Sequence, residues 1–259
     1  MAQQKNKPSK KYMTTTIKTK KPKFTFEPKE HLYKLDGKPM TGVTTILSVI
    51  AKPSLIQWSA NEAVKYIQEN FSKAFTYPLD QSKFDELFKE AKVAHRKKKE
   101  AAGEAGTDVH ALIEIIIKNA IKNHDGYIYA LEVEHPQVKQ FVQWAITNKV
   151  KFLASEKRLY SLSWWVAGTA DIVCEIEGKR YIGDIKTSSG IYTEHYFQTS
   201  AYAKMAEEMG ASKKKFDGVV IINCRKDGGF DYAYNYDLQG NQKAFEGALA
   251  LYRQINAVK

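Results

Sequence analysis

Cysteine is scarce in this chain of 259 residues, since Cys174 and Cys224 are the only two. Two cysteines cannot supply the four thiolates that bind an iron–sulfur cluster, so the sequence predicts that no such cluster is present. Both residues lie in apolar, strand-like surroundings. Cysteines of this kind are typical of buried free thiols in a reducing compartment.

Long apolar runs are also missing. No segment approaches the roughly 20 consecutive apolar residues that cross a bilayer as a helix. The N-terminus lacks the apolar segment of a secretory signal peptide. These two absences predict a cytoplasmic protein that makes no membrane contact.

Acidic residues are absent from residues 1–23, which contain eight lysines. The whole chain has a net charge of +11, so the remainder carries only 11 − 8 = +3. We predict a disordered, Lys-rich arm over residues 1–23. Two roles remain open for this arm, namely attraction of nucleic acid and simple solubilisation.

The most informative segment that is present runs from Gly168 to Lys186 and reads GTADIVCEIEGKRYIGDIK. Its apolar arms flank Glu177-Gly178, which predicts a hairpin with a two-residue turn. In that register Ile176 pairs with Lys179, and the numbers of paired residues sum to 355. Asp171 is then opposite Asp184, and directly opposed residues project on the same face of a sheet.

Lys186 lies two residues beyond Asp184, so the strand period brings it to the same face. Two carboxylates this close repel each other unless a cation lies between them. Oxygen-rich sites of this kind suit Mg²⁺ or Mn²⁺. The alternative is a solvated strand face with an internal ion pair. The apolar neighbours Ile172 and Ile182 favour a buried sheet, where paired charges are rare without a role.

Two predicted helices carry further polar pairs at a spacing of four residues, which places both members of a pair on one helix face. His110 and Glu114 form the first pair, and Gln198 and Tyr202 form the second. A single histidine on an apolar helix is more often a core residue than a ligand. The nearby glutamate and the carboxylate hairpin favour a ligand here.

The order of predicted elements suggests three regions. These are the arm at 1–23, an N-terminal hairpin and helical region at 24–100, and a core at 101–259. A polar helix is predicted over about 82–100 and a separate apolar helix over 103–122. The basic run at 95–99 ends the first helix. It is interpreted as a solvated face, with phosphate contact as the alternative.

Five motifs occur in a characteristic order: GTxxH on a helix, Glu156 on a strand, GTAD and DIKT on the hairpin, and QTSAY on a helix. This order resembles the PD-(D/E)xK nuclease superfamily in its RecB-like branch, which includes phage-type exonucleases and the mitochondrial genome maintenance exonuclease. The resemblance covers about residues 100–237. It implies an α/β fold with a restriction-endonuclease-like core, in which helices flank a central mixed β-sheet.

The resemblance also implies roles for individual residues. Asp171, Asp184 and Lys186 are the expected catalytic residues, and the expected metal ligands are Asp171, Asp184, His110 and the backbone carbonyl of Ile185. Gln198, Tyr202 and Thr187 are expected to contact DNA. Glu114 and Glu156 are expected to support the site.

The activity implied by the resemblance is metal-dependent exonuclease cleavage of DNA at ends or in single strands. Mg²⁺ or Mn²⁺ is the expected cofactor, with two ions bound. The expected setting is phage-type recombination or replication in the cytoplasm of a bacterial host, with a phage single-strand annealing or recombination protein as partner. A structure-specific endonuclease and a non-catalytic DNA-binding protein are the alternatives.

Overall fold

A computed structural model of the chain describes residues 22–75, 77–212 and 214–257. Most of the predicted Lys-rich arm, residues 1–21, lies outside the described residues. The chain divides into two compact units, 1–39 and 40–259. In the first unit, β1 (Phe24–Glu27) and β2 (Leu32–Leu35) form an antiparallel hairpin.

The second unit is built on a mixed sheet. Its central strands lie in the order β4-β5-β6-β7-β8, with β6 and β7 parallel and the other neighbours antiparallel. A further strand, β3, pairs in parallel with the start of β5 through Thr41 and Gly42. The strand bounds are β3 (Lys38–Gly42), β4 (Lys151–Ser161), β5 (Val166–Ile176), β6 (Lys179–Lys186), β7 (Gly218–Cys224) and β8 (Phe230–Asn235).

The predicted register of the β5–β6 hairpin is confirmed. Glu177 and Gly178 have φ values of 51° and 78°, the left-handed pair that a two-residue hairpin turn requires. Ile176 pairs with Lys179, and the ladder continues in that register to Ile172 and Gly183. The near-continuous apolar run at 217–225, a pattern typical of a strand buried on both faces, forms β7, whose seven residues are all buried.

Helices cover both faces of the sheet. Apolar residues of α3 and α4 pack on one face, and residues of α1, α5 and α6 pack on the other. The predicted fold class is confirmed, because this mixed α/β layering is consistent with a restriction-endonuclease-like core. The helix bounds are α1 (Val43–Leu47), α2 (Pro53–Ala74), α3 (Gln81–Asn123), α4 (Pro136–Thr147), α5 (Thr193–Glu208) and α6 (Leu238–Ala257).

The α3 helix differs from the prediction of two separate helices. It is one helix of 43 residues, and it continues through Gly103 and Gly106. A glycine inside a helix costs about 1 kcal/mol relative to alanine, which weakens a helix without ending it. The domain boundary predicted at residue 100 therefore falls inside α3. Within the described ranges, no helix is long and apolar enough to cross a membrane.

Candidate active site

The site lies where β5 and β6 move apart, at the carboxyl end of β6. The last paired residues are Ile172 and Gly183, so the ladder ends just before Asp171 and Asp184. Asp171 Oδ2 accepts a hydrogen bond from the Ile185 amide at 2.6 Å. The side chain of Asp171 thus satisfies a backbone donor that the diverging strand no longer pairs.

Asp184 is only 1% exposed and is held at both carboxylate oxygens. Its Oδ1 accepts a hydrogen bond from Gln198 Nε2 at 3.1 Å, and its Oδ2 forms an ion pair with Lys186. A buried carboxylate needs partners of this kind to offset the loss of hydration. The strand period puts Asp184 and Lys186 on the face of β6 that α5 covers.

The Gln198 amide links several members of the site. Its Nε2 also donates to the Tyr202 hydroxyl at 3.0 Å, and its Oε1 accepts from Lys186 Nζ at 3.5 Å. Gly168 makes room for this helix, because a Cβ there would lie 2.5 Å from the Tyr202 ring. Gln198 and Tyr202, the pair expected to touch DNA, are buried and bonded inward.

The α3 helix brings His110 to the opposite side of Asp171. His110 Nδ1 lies 3.8 Å from Asp171 Oδ2, and the histidine side chain is 33% exposed. One turn earlier, Gly106 is buried against Thr187 at the end of β6. A Cβ on Gly106 would lie 2.7 Å from Thr187 Oγ1, so the glycine allows the helix to approach.

Two glutamates extend the acidic cluster beside Asp171. Glu156 faces Asp171 across the β4–β5 ladder, between the pairs Ser155–Ile172 and Lys157–Ala170. Its φ of 49° is left-handed, an uncommon conformation for glutamate. Burial raises the pKa of Glu156 to about 7, with added repulsion from Asp171 and Glu114. Glu114 forms an ion pair with Lys118.

The protonation states follow from burial and from neighbouring charges. Burial raises the pKa values of Asp171 and Asp184, against the attraction of Lys186. Burial also opposes the charge of Lys186, but the carboxylates of Asp184 and Asp171 outweigh it and raise the pKa of Lys186. Burial lowers the pKa of His110, which favours the neutral imidazole that binds metals.

No group of three or more His, Cys, Asp or Glu side chains among the described residues has the spacing of a ready-made metal site. The donors still fit a divalent cation by their chemistry. Asp171 and Asp184 are buried carboxylates, and burial raises the pKa of both against the attraction of Lys186. The only cation paired with Asp184 is Lys186, within the described part of the chain.

His195 is a further member of the site that sequence analysis missed. It is buried, and its pKa is lowered to about 4, first by burial and then by Lys186. Its Nδ1 accepts the Tyr192 amide at 3.2 Å, which assigns the proton to Nε2. The signal was available, because His195 lies three residues before Gln198 and therefore shares its helix face.

Asn223 was missed as well. It is the register partner of Lys186 on β7 and is fully buried. Its Oδ1 accepts a hydrogen bond from Ser188 at 3.4 Å, while no described residue accepts from its Nδ2. An amide in the otherwise apolar run VVIINC is the sequence signal that would have identified it.

Comparison with known proteins does not place this chain in a family. No profile of a known protein family matches the chain, and no curated protein sequence matches it significantly.

Proposed function

We propose that this protein is a metal-dependent deoxyribonuclease, an exonuclease that hydrolyses phosphodiester bonds at DNA ends or in single strands. The observation that carries the proposal is the meeting of Asp171, Asp184 and Lys186 where β5 and β6 diverge. The order of motifs along the chain and its net charge of +11 support DNA as the substrate.

Asp171 and Asp184 would hold Mg²⁺ or Mn²⁺, together with neutral His110 and the Ile185 carbonyl. A bound divalent ion, or a pair of ions, lowers the pKa of a water molecule and stabilises charge on the attacking and leaving oxygens. The Ile185 amide and Gln198 restrain the two carboxylates, so the site is organised before substrate arrives. Glu114 and Glu156 add negative charge beside Asp171.

Lys186 acts as a cation in this proposal. Burial opposes its charge, but Asp184 and Asp171 outweigh burial and raise its pKa, so the ammonium is protonated at neutral pH in the metal-free protein. A fixed ammonium beside the attacked phosphate offsets charge that develops in the transition state. Gln198 and Tyr202 position Asp184 and Lys186, and Thr187 at the end of β6 contacts the DNA.

A phage-type role in recombination or replication, within a bacterial cytoplasm, belongs to the same proposal. So does a single-strand annealing or recombination protein as partner. Both rest on the order of motifs alone. An exonuclease that resects ends produces the single strands that an annealing protein binds, which makes the two activities compatible.

The decisive assay compares end-labelled linear DNA with closed circular DNA, single- and double-stranded, in Mg²⁺ or Mn²⁺. We expect the linear forms to be degraded from their ends and the circles to persist. Asp184→Asn should reduce cleavage at least about a hundredfold while DNA binding in Ca²⁺ stays measurable. Asp227→Asn, an exposed carboxylate on a turn, is the matched control and should cleave normally.

Cleavage of circular DNA would identify an endonuclease, and binding by the wild type without cleavage would identify a non-catalytic protein. Metal binding has its own readout in thermal unfolding. Mn²⁺ at a hundred times its Kd should stabilise the wild type by about 2.7 kcal/mol. Asp184→Asn should lose most of this gain. Equal stabilisation of both proteins would place the metal elsewhere.

A further inference from the structure

The face of α3 that carries His110 continues beyond the site as a row of cations. Residues spaced alternately three and four apart lie along one side of a helix. On this side of α3, Ile113 and Ile117 are fully buried in the core, and His110 and Gly106 reach the site. Continuing toward the start of the helix, the same spacing passes Gly103, then meets four basic residues in succession, and reaches Asp85 only beyond them. The four basic residues are Lys99, Arg96, Lys92 and Lys89.

All four of these basic side chains, here called the basic stripe, are exposed. No carboxylate within the described residues pairs with any of them. The two lysines between Arg96 and Lys99 behave differently, because Lys97 pairs with Glu90 and Lys98 pairs with Glu62 at 2.7 Å. The basic run at 95–99 therefore contains two lysines that pair with carboxylates, and two cations, Arg96 and Lys99, that pair with no carboxylate among the described residues.

The stripe has a defined relation to the site. At 1.5 Å of rise per residue, Lys99 lies about 16 Å along the helix axis from His110, and Lys89 lies about 31 Å away. Four exposed cations in succession along a helix, with no acid between them at that spacing, attract a polyanion rather than a single phosphate. DNA carries one charge per about 3.4 Å of each strand, so several phosphates can contact the row together.

We infer that the basic stripe of α3 is a DNA track that holds the phosphate backbone on its way to the cleavage site. This inference rests on the proposed function and specifies which surface outside the site binds the substrate. The track ends at Gly106 and His110, where the same helix face meets Asp171 and Thr187. The inference predicts that Arg96 and Lys99 contact phosphates and that Lys97 and Lys98 do not.

Two double variants of the full-length chain test the inference, since they remove equal charge from adjacent positions. Arg96→Gln/Lys99→Gln alters the stripe, and Lys97→Gln/Lys98→Gln is the matched control. DNA affinity is measured in Ca²⁺ as a function of salt. Each lost phosphate contact makes the slope of log K against log salt shallower by about 0.9 for duplex DNA and about 0.7 for single strands. The stripe variant should therefore lose about 1.4–1.8 of slope, and the control should retain the wild-type slope.

Three outcomes discriminate. The DNA track is overturned if the stripe variant keeps the wild-type slope, or if the control loses as much slope as the stripe variant. Either result leaves the proposed function standing, because the wild type would still cleave DNA. A wild type that binds no DNA overturns the proposed substrate together with the track. Removing Lys89 and Lys92 as well should make the slope shallower again by about the same amount. Melting temperatures equal to the wild type would verify that these exposed substitutions leave the fold intact.

Discussion

Lys186 is the residue whose chemistry the structure restricts most. It contacts Asp184 and Gln198, and its side chain is 22% exposed. Its pKa is raised because two carboxylates face it despite the opposing effect of burial. A group held in this way contributes a fixed positive charge, and such a charge is most valuable where negative charge grows during the reaction.

We predict that Lys186→Ala binds DNA nearly normally and cleaves it at least about a hundredfold more slowly, because interactions confined to the transition state affect kcat. Lys186→Arg should not restore the rate, since a planar guanidinium differs in shape from an ammonium. Single-turnover cleavage at saturating DNA and Mn²⁺ measures the effect. Lys179→Ala, at the exposed start of the same strand, is the control. A near-native rate for Lys186→Ala would show that Lys186 does not stabilise the transition state.

At this scale, the sequence was sufficient where the strand period and a two-residue turn determined the geometry. Asp171, Asp184 and Lys186 could be brought together by counting. His195 and Asn223 could not be weighed in the same way, because their proximity to Lys186 depends on how α5 and β7 pack. Burial of Gln198 likewise follows from tertiary packing, which a spacing of four residues does not reveal.

At one point α3 approaches the end of β6 too closely for any residue larger than glycine. Gly106 leaves space for Thr187, whereas Gly103, one turn earlier, has no neighbouring atom within 4 Å of its Cβ position. Both glycines lie in the same helix, but Gly106 is buried and Gly103 is exposed, so only Gly106 meets the end of β6. They therefore form an internally controlled pair for measuring what the contact contributes.

We predict that Gly103→Ala stabilises the protein by up to about 1 kcal/mol, the usual helix preference of alanine over glycine. Gly106→Ala should lose that gain to the collision with Thr187 and should weaken Mn²⁺ binding, because His110 moves with the helix. Calorimetry and metal titration of both variants provide the measurement. Adding Thr187→Ala to Gly106→Ala removes the colliding oxygen and should recover stability. If the two alanine variants have the same stability and the same Mn²⁺ affinity, the contact between Gly106 and Thr187 contributes to neither.

Elements were predictable where the apolar pattern was strong, as for the run that forms β7. The continuity of α3 was not, because a polar segment, two glycines and an apolar segment look like two helices. Packing resolves the ambiguity. Leu87 and Ala91 are buried in the first half, and Ile113 and Ile117 are buried in the second. Because buried residues hold the helix on both sides of Gly103 and Gly106, the region of weak helix preference between them stays helical.

Over the whole molecule, the acidic cluster makes metal-free stability depend on pH. Glu156 has a folded pKa of about 7 against an ordinary value of 4.5. A carboxyl group with a raised pKa binds its proton more tightly in the folded state. Its contribution is therefore present at low pH and is lost as pH rises through this window. Neutral His195 acts in the opposite direction below about pH 6.5, so only a comparison between variants isolates Glu156.

We predict that Glu156→Gln, without metal, raises the melting temperature relative to the wild type, and more at pH 7.5 than at pH 5. The amide cannot ionise, so it avoids the cost of burying a charge and the repulsion from Asp171 and Glu114. Glu246→Gln, exposed on α6, is the control and should show no such dependence. Thermal unfolding in a chelator at the two pH values gives the answer. If the difference in melting temperature between variant and wild type is the same at both pH values, the pKa of Glu156 is not raised in the folded protein.

The uninterrupted course of α3 has a mechanical consequence. With 43 residues the helix is about 64 Å long. Consider a tilt of the helix about the close approach between Gly106 and Thr187. Along the helix axis, this point is about 38 Å from Gln81 and about 6 Å from His110. The two arms then form an unequal lever, in which a displacement of about 3 Å at Gln81 moves His110 by only about 0.5 Å. That displacement is near the tolerance of a catalytic constellation. In this geometry, the position of His110 beside Asp171 is far less sensitive to the helix direction than the position of Gln81.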